Sequence, residues 1–220
     1  MGAANVMSHA LMDYSGRGPT VDGRTKPDVL GPTNVYAAST ASNTSLDLFS
    51  GTSAATPNAG GAAALGRRFA NAVGPIVDPG QVYALFVNAG RNGTRSATNN
   101  NIGGGLIAMP ISGQSWWGAV TALPRNGAVV NVTVTLSSIT TETLTASIWW
   151  PESAGAHNDV DLYVYNPQGV LVGLSTSGDG VFEKVRIPSG SVTNGTWTMQ
   201  VRSYNVGTSQ LVYGALSCLK

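Results

Sequence analysis

Few side chains in this chain combine the type and the setting for chemistry, and Ser53 is the first of them. It sits in Gly51-Thr52-Ser53-Ala54-Ala55-Thr56-Pro57, a tight turn that runs into a Gly/Ala-rich helical pattern. The glycine lets the backbone turn sharply. A serine at a helix start lies where unpaired N–H groups and the positive dipole end stabilise a developing oxyanion. Pro57 is expected within the first helical turn, where its missing N–H costs little. The other reading of the same residues is an ordinary Ser/Thr helix cap. A serine hydroxyl stays protonated and weakly nucleophilic without a base. The two histidines are His9, in Ser8-His9-Ala10, and His157, in a loop of the second half. Both read as surface or core-edge residues. Asp13, Asp22 and Asp28 stand among turn formers, where carboxylates serve local hydrogen bonds.

A second candidate lies further on. Asn158, Asp159 and Asp161 cluster at the start of a strand, and side chains two apart on a strand share a face. Such hard oxygen donors suit calcium, as a structural ion that stiffens the surrounding sheet; a solvated acidic turn is the alternative. Ser177-Gly178-Asp179-Gly180 with Glu183 lacks a calcium loop's ligand spacing and reads as a hairpin turn.

The elements that must position these groups fall into two textures. Up to about residue 110 the chain alternates short strands, turns and helices. Short strands are expected at 2–6, 28–30 and 34–38, with Gly31-Pro32 breaking the second and a polar loop at 40–47. A helix is predicted over 52–72. Its Gly60, Gly61 and Gly66 each lower helix propensity by about 1 kcal/mol relative to Ala, so it reads as a buried helix against which neighbouring backbone packs closely. A second helix opens with Asp78 as cap and Pro79 at its first position, and closes at Gly90. Leu106–Ala108 reads as a short strand. Beyond Pro110 helical patterns vanish, and period-2 strands recur at 129–137, 144–150, 161–165, 170–174, 181–187, 195–203 and 210–216. That pattern predicts an antiparallel sandwich or jelly roll. Trp149, Trp150 and Trp197 are expected in its core rather than on a binding platform. Trp116-Trp117 is expected to cement the two parts.

Composition narrows the function classes. The 220 residues carry a net charge of +1 with only 10% charged side chains, which gives no electrostatic case for nucleic acid or an anionic membrane. No apolar run approaches a membrane span. The single cysteine, Cys218, excludes an internal disulfide framework and a Cys-based zinc site.

Two blocks then read together. S-G-R-G-P-T-x-D-G-R-x-K-P-D-V at Ser15–Val29 precedes G-T-S-A-A-T-P at Gly51–Pro57, followed by Gly60-Gly61-Ala62-Ala63-Ala64-Leu65. In this order they resemble the C-terminal part of a subtilisin-like serine protease (subtilase) catalytic domain. Asn158–Val164, Asn166–Gly169 and Gly195–Val201 resemble the β-sandwich appended to oxidatively stable alkaline subtilases. The resemblance implies an α/β fold, the C-terminal portion of a doubly wound parallel-sheet domain, over 1–111, and an all-β jelly-roll or sandwich domain over 112–220. It implies a secreted serine endopeptidase acting on protein or peptide substrates by an acyl-enzyme mechanism. Ser53 would be the nucleophile and a backbone oxyanion donor, with Gly51 and Thr52 lining the substrate site. The family's Asp and His motifs do not occur in the chain, so the missing N-terminal part of the catalytic domain is the expected partner, and the chain alone is expected to be inactive. After Lys26-Pro27-Asp28-Val29 the family pattern runs Ala-Pro-Gly, whereas here Gly31-Pro32-Thr33 stands; Asn58 takes the place of a common His. A non-catalytic pseudo-protease remnant, or a sandwich that binds protein, polysaccharide or cell wall, is the alternative.

Overall fold

The computed structural model describes residues 1–73, 78–91, 99–109, 113–138, 143–153 and 155–219. In the first part, β1 (Gly2–Asn5) pairs in parallel with β2 (Leu30–Thr33), and Leu106 bridges the far side of Leu30. The strand continues through Gly31-Pro32 instead of breaking there. The Leu30 N–H donates to Gly105 O, away from β1, and the position of Pro32 shares that side, so the proline removes no donor from the β1 ladder. The expected loop at 40–47 is a largely exposed connection through residue 45 and gives way to strand at Leu46, so it links a hairpin of β3 (Val35–Ala38) and β4 (Leu46–Phe49). Its Tyr36, Leu46 and Leu48 are exposed.

Helix α1 spans Thr52–Val73 and α2 spans Pro79–Ala89. Asp78 caps α2 as its sequence predicts, its Oδ1 accepting the Gly80 N–H at 2.9 Å. Pro57 lies beyond the first turn of α1. Having no N–H, it leaves the Ser53 carbonyl without its intrahelical donor.

Among the described residues the second part holds eight strands: β5 (Gly113–Leu123), β6 (Val129–Leu136), β7 (Thr143–Trp149), β8 (Asp159–Tyr165), β9 (Leu171–Ser175), β10 (Phe182–Ile187), β11 (Gly195–Asn205) and β12 (Gln210–Leu219). They form two four-stranded sheets ordered β10-β7-β12-β5 and β6-β11-β8-β9. Because β9 and β10 belong to different sheets, Ser177–Gly180 is a sheet-to-sheet crossing and not a hairpin turn. Trp150 and Trp197 are fully buried between the sheets. Residues 110–112 of the expected boundary and the side chains of Trp116 and Trp117 lie outside the described residues.

What joins the two parts is α2. Leu85, Phe86 and Val87 belong to the same apolar cluster as the sandwich core. Asn88 Nδ2 donates to Thr145 O at 2.8 Å and Ala215 O at 3.1 Å, and its Oδ1 accepts from the Ser217 hydroxyl. Ser147 Oγ donates to Ala84 O at 3.0 Å. Gly80 lies against the Tyr213 ring, which any side chain there would strike. The Tyr83 ring stacks on Trp149, with centroids 4.5 Å apart.

Candidate active site around Ser53

Ser53 enters the structure as the second residue of α1, behind a Gly51 whose φ of +83° is open to glycine and costly for other residues. The turn is held from several sides. Thr33 Oγ1 donates to Gly51 O at 3.0 Å, and the Gly51 N–H donates to Tyr14 Oη at 3.2 Å. Asn58 Nδ2 donates to Ala54 O at 2.9 Å and to Pro32 O at 3.3 Å, which ties α1 to β2. Asn58 thus acts as a strut between helix and strand. Neither Tyr14 nor Thr33 stands out in the sequence as a site residue, because their role depends on contacts across long sequence separations.

Ser53 is exposed, and among the described residues neither its Oγ nor its N–H has a hydrogen-bond partner. A free N–H at a helix start is the geometry an oxyanion needs. Thr52 follows Gly51 at the same turn, and its carbonyl accepts from Thr56 Oγ1 at 2.9 Å.

Among the described residues no hydrogen bond connects either histidine to Ser53. His9 is exposed on a turn with φ of +59°. His157 is exposed in the loop before β8, beside Glu152. Asp22 and Asp28 are engaged locally, as their turn settings predict. Asp22 pairs with Arg24 at 2.9 Å, and the Thr20 hydroxyl together with Arg24 holds its carboxyl down at about 2. Asp28 pairs with Lys26 at 2.6 Å. The described residues therefore supply Ser53 with no base.

The expected calcium ligands are brought together only in part. Asn158 is spent elsewhere: its Nδ2 donates to Gln210 Oε1 at 2.7 Å and its Oδ1 accepts from Gly207 N at 3.2 Å. Asp159 Oδ1 is buried without a hydrogen-bond partner. Burial, then the neighbouring Asp179, raises the Asp159 pKa; burial, then Asp159, raises that of Asp161. Fully buried Glu183 is pushed up to about 8 by burial, against the hydrogen bonds it accepts from Ser175 Oγ and Ser177 N. Among the described residues, no three His, Cys, Asp or Glu side chains are grouped so as to hold a metal ion. Asn158 is thus engaged within the chain through both amide atoms, whereas one Asp159 carboxylate oxygen is left without a hydrogen bond.

Likenesses to solved structures are faint. A protein of Sulfurospirillum deleyianum, GEBA250068378, is 8% identical with a TM-score of 0.34, covering 50% of this chain and 99% of that one. The Yersinia pseudotuberculosis-derived mitogen is 11% identical with a TM-score of 0.32, covering 51% of this chain and 88% of that one. The infectious bursal disease virus VP2 subviral particle is 13% identical with a TM-score of 0.34, covering 50% and 34%. Residues 1–105, which include the Gly51–Pro57 turn, the Ser15–Val29 block and both helices, match the model of the subtilase family, Peptidase S8, and this supports a serine peptidase.

Proposed function

We propose that this chain is the serine-bearing part of a subtilisin-like endopeptidase, with Ser53 as the nucleophile. The observation that carries the reading is the exposed Ser53 at the start of α1, its N–H unpaired, in a turn built by Gly51. Ser53 Oγ attacks the scissile carbonyl of a protein or peptide substrate, and the carbonyl oxygen takes up charge beside the Ser53 N–H. The base takes the Oγ proton and gives it to the leaving amine as the scissile C–N bond breaks; water, deprotonated by the same base, then releases the acyl group and restores the Ser53 hydroxyl. Gly51 and Thr52 line the substrate beside the nucleophile. The base and its carboxylate partner come from an N-terminal part of the catalytic domain, so the chain alone does not turn over substrate.

The surface of α1 supports that partner. The positions of Cβ atoms at Gly60 and Gly61 meet nothing within 4 Å, and Leu65 is 61% exposed. A cavity of about 670 Å³ lies between α1 and α2, lined by Ala59, Ala63, Arg67, Val82, Tyr83 and Phe86 among others. Gly66, on the other side of the helix, is packed against Leu85, so it is the Gly60–Gly61 face that is left open to a further neighbour. Residues 1–111 are read as the C-terminal portion of the doubly wound domain and 112–220 as an appended jelly roll; the strand orders of the two sheets support the latter. Secretion goes with this reading, and recovery of the parent protein only from inside cells would oppose it.

The test is hydrolysis of a peptide substrate by this chain combined with the N-terminal part carrying the Asp and His motifs. Ser53→Ala is expected to abolish turnover; unchanged turnover would defeat the assignment. A structural calcium ion near Asp159 and Asp161 is proposed beside it, supported by the unpartnered Asp159 Oδ1. A higher Tm in calcium than in chelator is expected, and equal values would remove the ion from the account.

A further inference from the structure

We propose that Tyr14 and Thr33 are positioning residues for Ser53, acting as a hydroxyl clamp on the peptide of Gly51; this rests on the reading of Ser53 as the nucleophile. The clamp grips both polar ends of one residue. Tyr14 Oη accepts the Gly51 N–H at 3.2 Å, and Thr33 Oγ1 donates to Gly51 O at 3.0 Å. The same carbonyl accepts the Ala54 N–H at 3.1 Å and the Ala55 N–H at 3.3 Å, so it also opens the hydrogen bonding of α1. Whatever holds Gly51 therefore holds the first turn in which Ser53 sits.

The clamp is braced. Tyr14 Oη donates to Asn34 Oδ1 at 3.2 Å and lies 3.3 Å from Thr33 Oγ1. The proton count closes: Thr33 spends its single hydrogen on Gly51 O, Tyr14 spends its own on Asn34, and the Gly51 N–H fills the Tyr14 acceptor. Asn34 has a φ of +59°, which turns its side chain out of the strand direction between β2 and β3. Thr33 is fully buried, so its hydroxyl has no access to water as a substitute partner.

Gly51 needs such restraint more than other residues, because it has the widest conformational choice. Rotation of its peptide would carry the Ser53 N–H and Oγ away from a reacting carbonyl. A misplacement of about 1 Å at a reacting centre costs on the order of a hundredfold in rate.

Two measurements test the clamp separately from the nucleophile. In the 220-residue chain, Tyr14→Phe is expected to speed amide hydrogen exchange at Gly51 by about tenfold, the loss of one hydrogen bond. Unchanged exchange at Gly51 would overturn the clamp. In the intact protease, Tyr14→Phe and Thr33→Val are each expected to lower kcat about tenfold at constant KM, while Thr33→Ser, which keeps the hydroxyl, retains kcat. A rise in KM alone, or loss of kcat in Thr33→Ser equal to that in Thr33→Val, would overturn the positioning role. Persistent turnover in Ser53→Ala would overturn the nucleophile reading instead and leave the exchange result at Gly51 standing.

Discussion

The two helices, close in sequence, have opposite surroundings. Helix α2 is wrapped: Gly80, Gln81, Ala84, Leu85, Phe86, Val87 and Asn88 are all buried, and the Ser147 hydroxyl of the sandwich donates to its Ala84 carbonyl. Helix α1 is half bare, with Gly60, Gly61, Ala64 and Leu65 facing solvent. Both use small residues for close contact, Gly80 of α2 against Tyr213 and Gly66 of α1 against Leu85, but Gly60 and Gly61 of α1 have no neighbour within 4 Å of a Cβ position. The difference shows that small residues permit close packing without supplying it. The sandwich provides the neighbour for α2, and under the proposed function the N-terminal part of the catalytic domain provides it for α1.

The largest effect is expected where the wrapped side is cut. Asn88→Ala removes two hydrogen bonds to sheet carbonyls and strands the Ser217 hydroxyl. Buried groups left unpaired cost about 1–3 kcal/mol each, so a loss on the order of 2–4 kcal/mol is expected in denaturant unfolding. A change within about 0.5 kcal/mol, typical of a surface site, would mean that α2 is not anchored to the sandwich through Asn88.

Next comes pH. Lys184 Nζ reaches out of β10 to donate to Gly90 O at 2.8 Å and Gly104 O at 3.0 Å, at the end of α2. Burial, with a smaller contribution from Arg186, lowers its pKa from 10.5 to about 7. Between those values the unfolded chain binds the proton and the folded chain does not, so stability gained from this group falls as pH drops from 10.5 to 7. Glu183 works the other way. Its pKa is raised from 4.5 to about 8, so its contribution falls as pH rises across that interval. Together they place a dip in stability near pH 7–8. Lys184→Met is expected to remove the rise on the alkaline side, and Glu183→Gln the fall on the acidic side. Melting curves across pH that keep both limbs in both variants would contradict this.

The smallest effect belongs to the bare side. Gly60→Ala and Gly61→Ala are each expected to stabilise this chain by about 1 kcal/mol, because alanine is the better helix former and open space receives the methyl. Destabilisation in the isolated chain would mean that this face is already packed. The same substitutions are expected to weaken association with the N-terminal part.

How far the sequence could be read follows from these surroundings. The α2 cap was legible because Asp78, Pro79 and Gly90 act within a few residues of the backbone they serve. The Gly51 turn was legible for the same reason. Burial of Glu183 and Lys184 was not. Successive residues of a strand point to opposite faces, and both faces of β10 are covered, one by β8 and β9 and the other by α2. An alternating polar and apolar run could not announce that. The hairpin of β3 and β4 was hidden by exposed apolar residues in place of the usual half-buried alternation. The expected burial of α1 failed at Gly60 and Gly61 because composition records what a helix can pack against, not what is present.

The central claim is that Ser53 is a nucleophile that acts only once its base is supplied. A fluorophosphonate probe reports this directly, since it labels serines activated by a neighbouring base. Negligible labelling of this chain alone is expected, and labelling located at Ser53 by peptide mass mapping when the N-terminal part is added. Labelling of the chain alone to the same extent, or none at Ser53 in the combined protein, would contradict it.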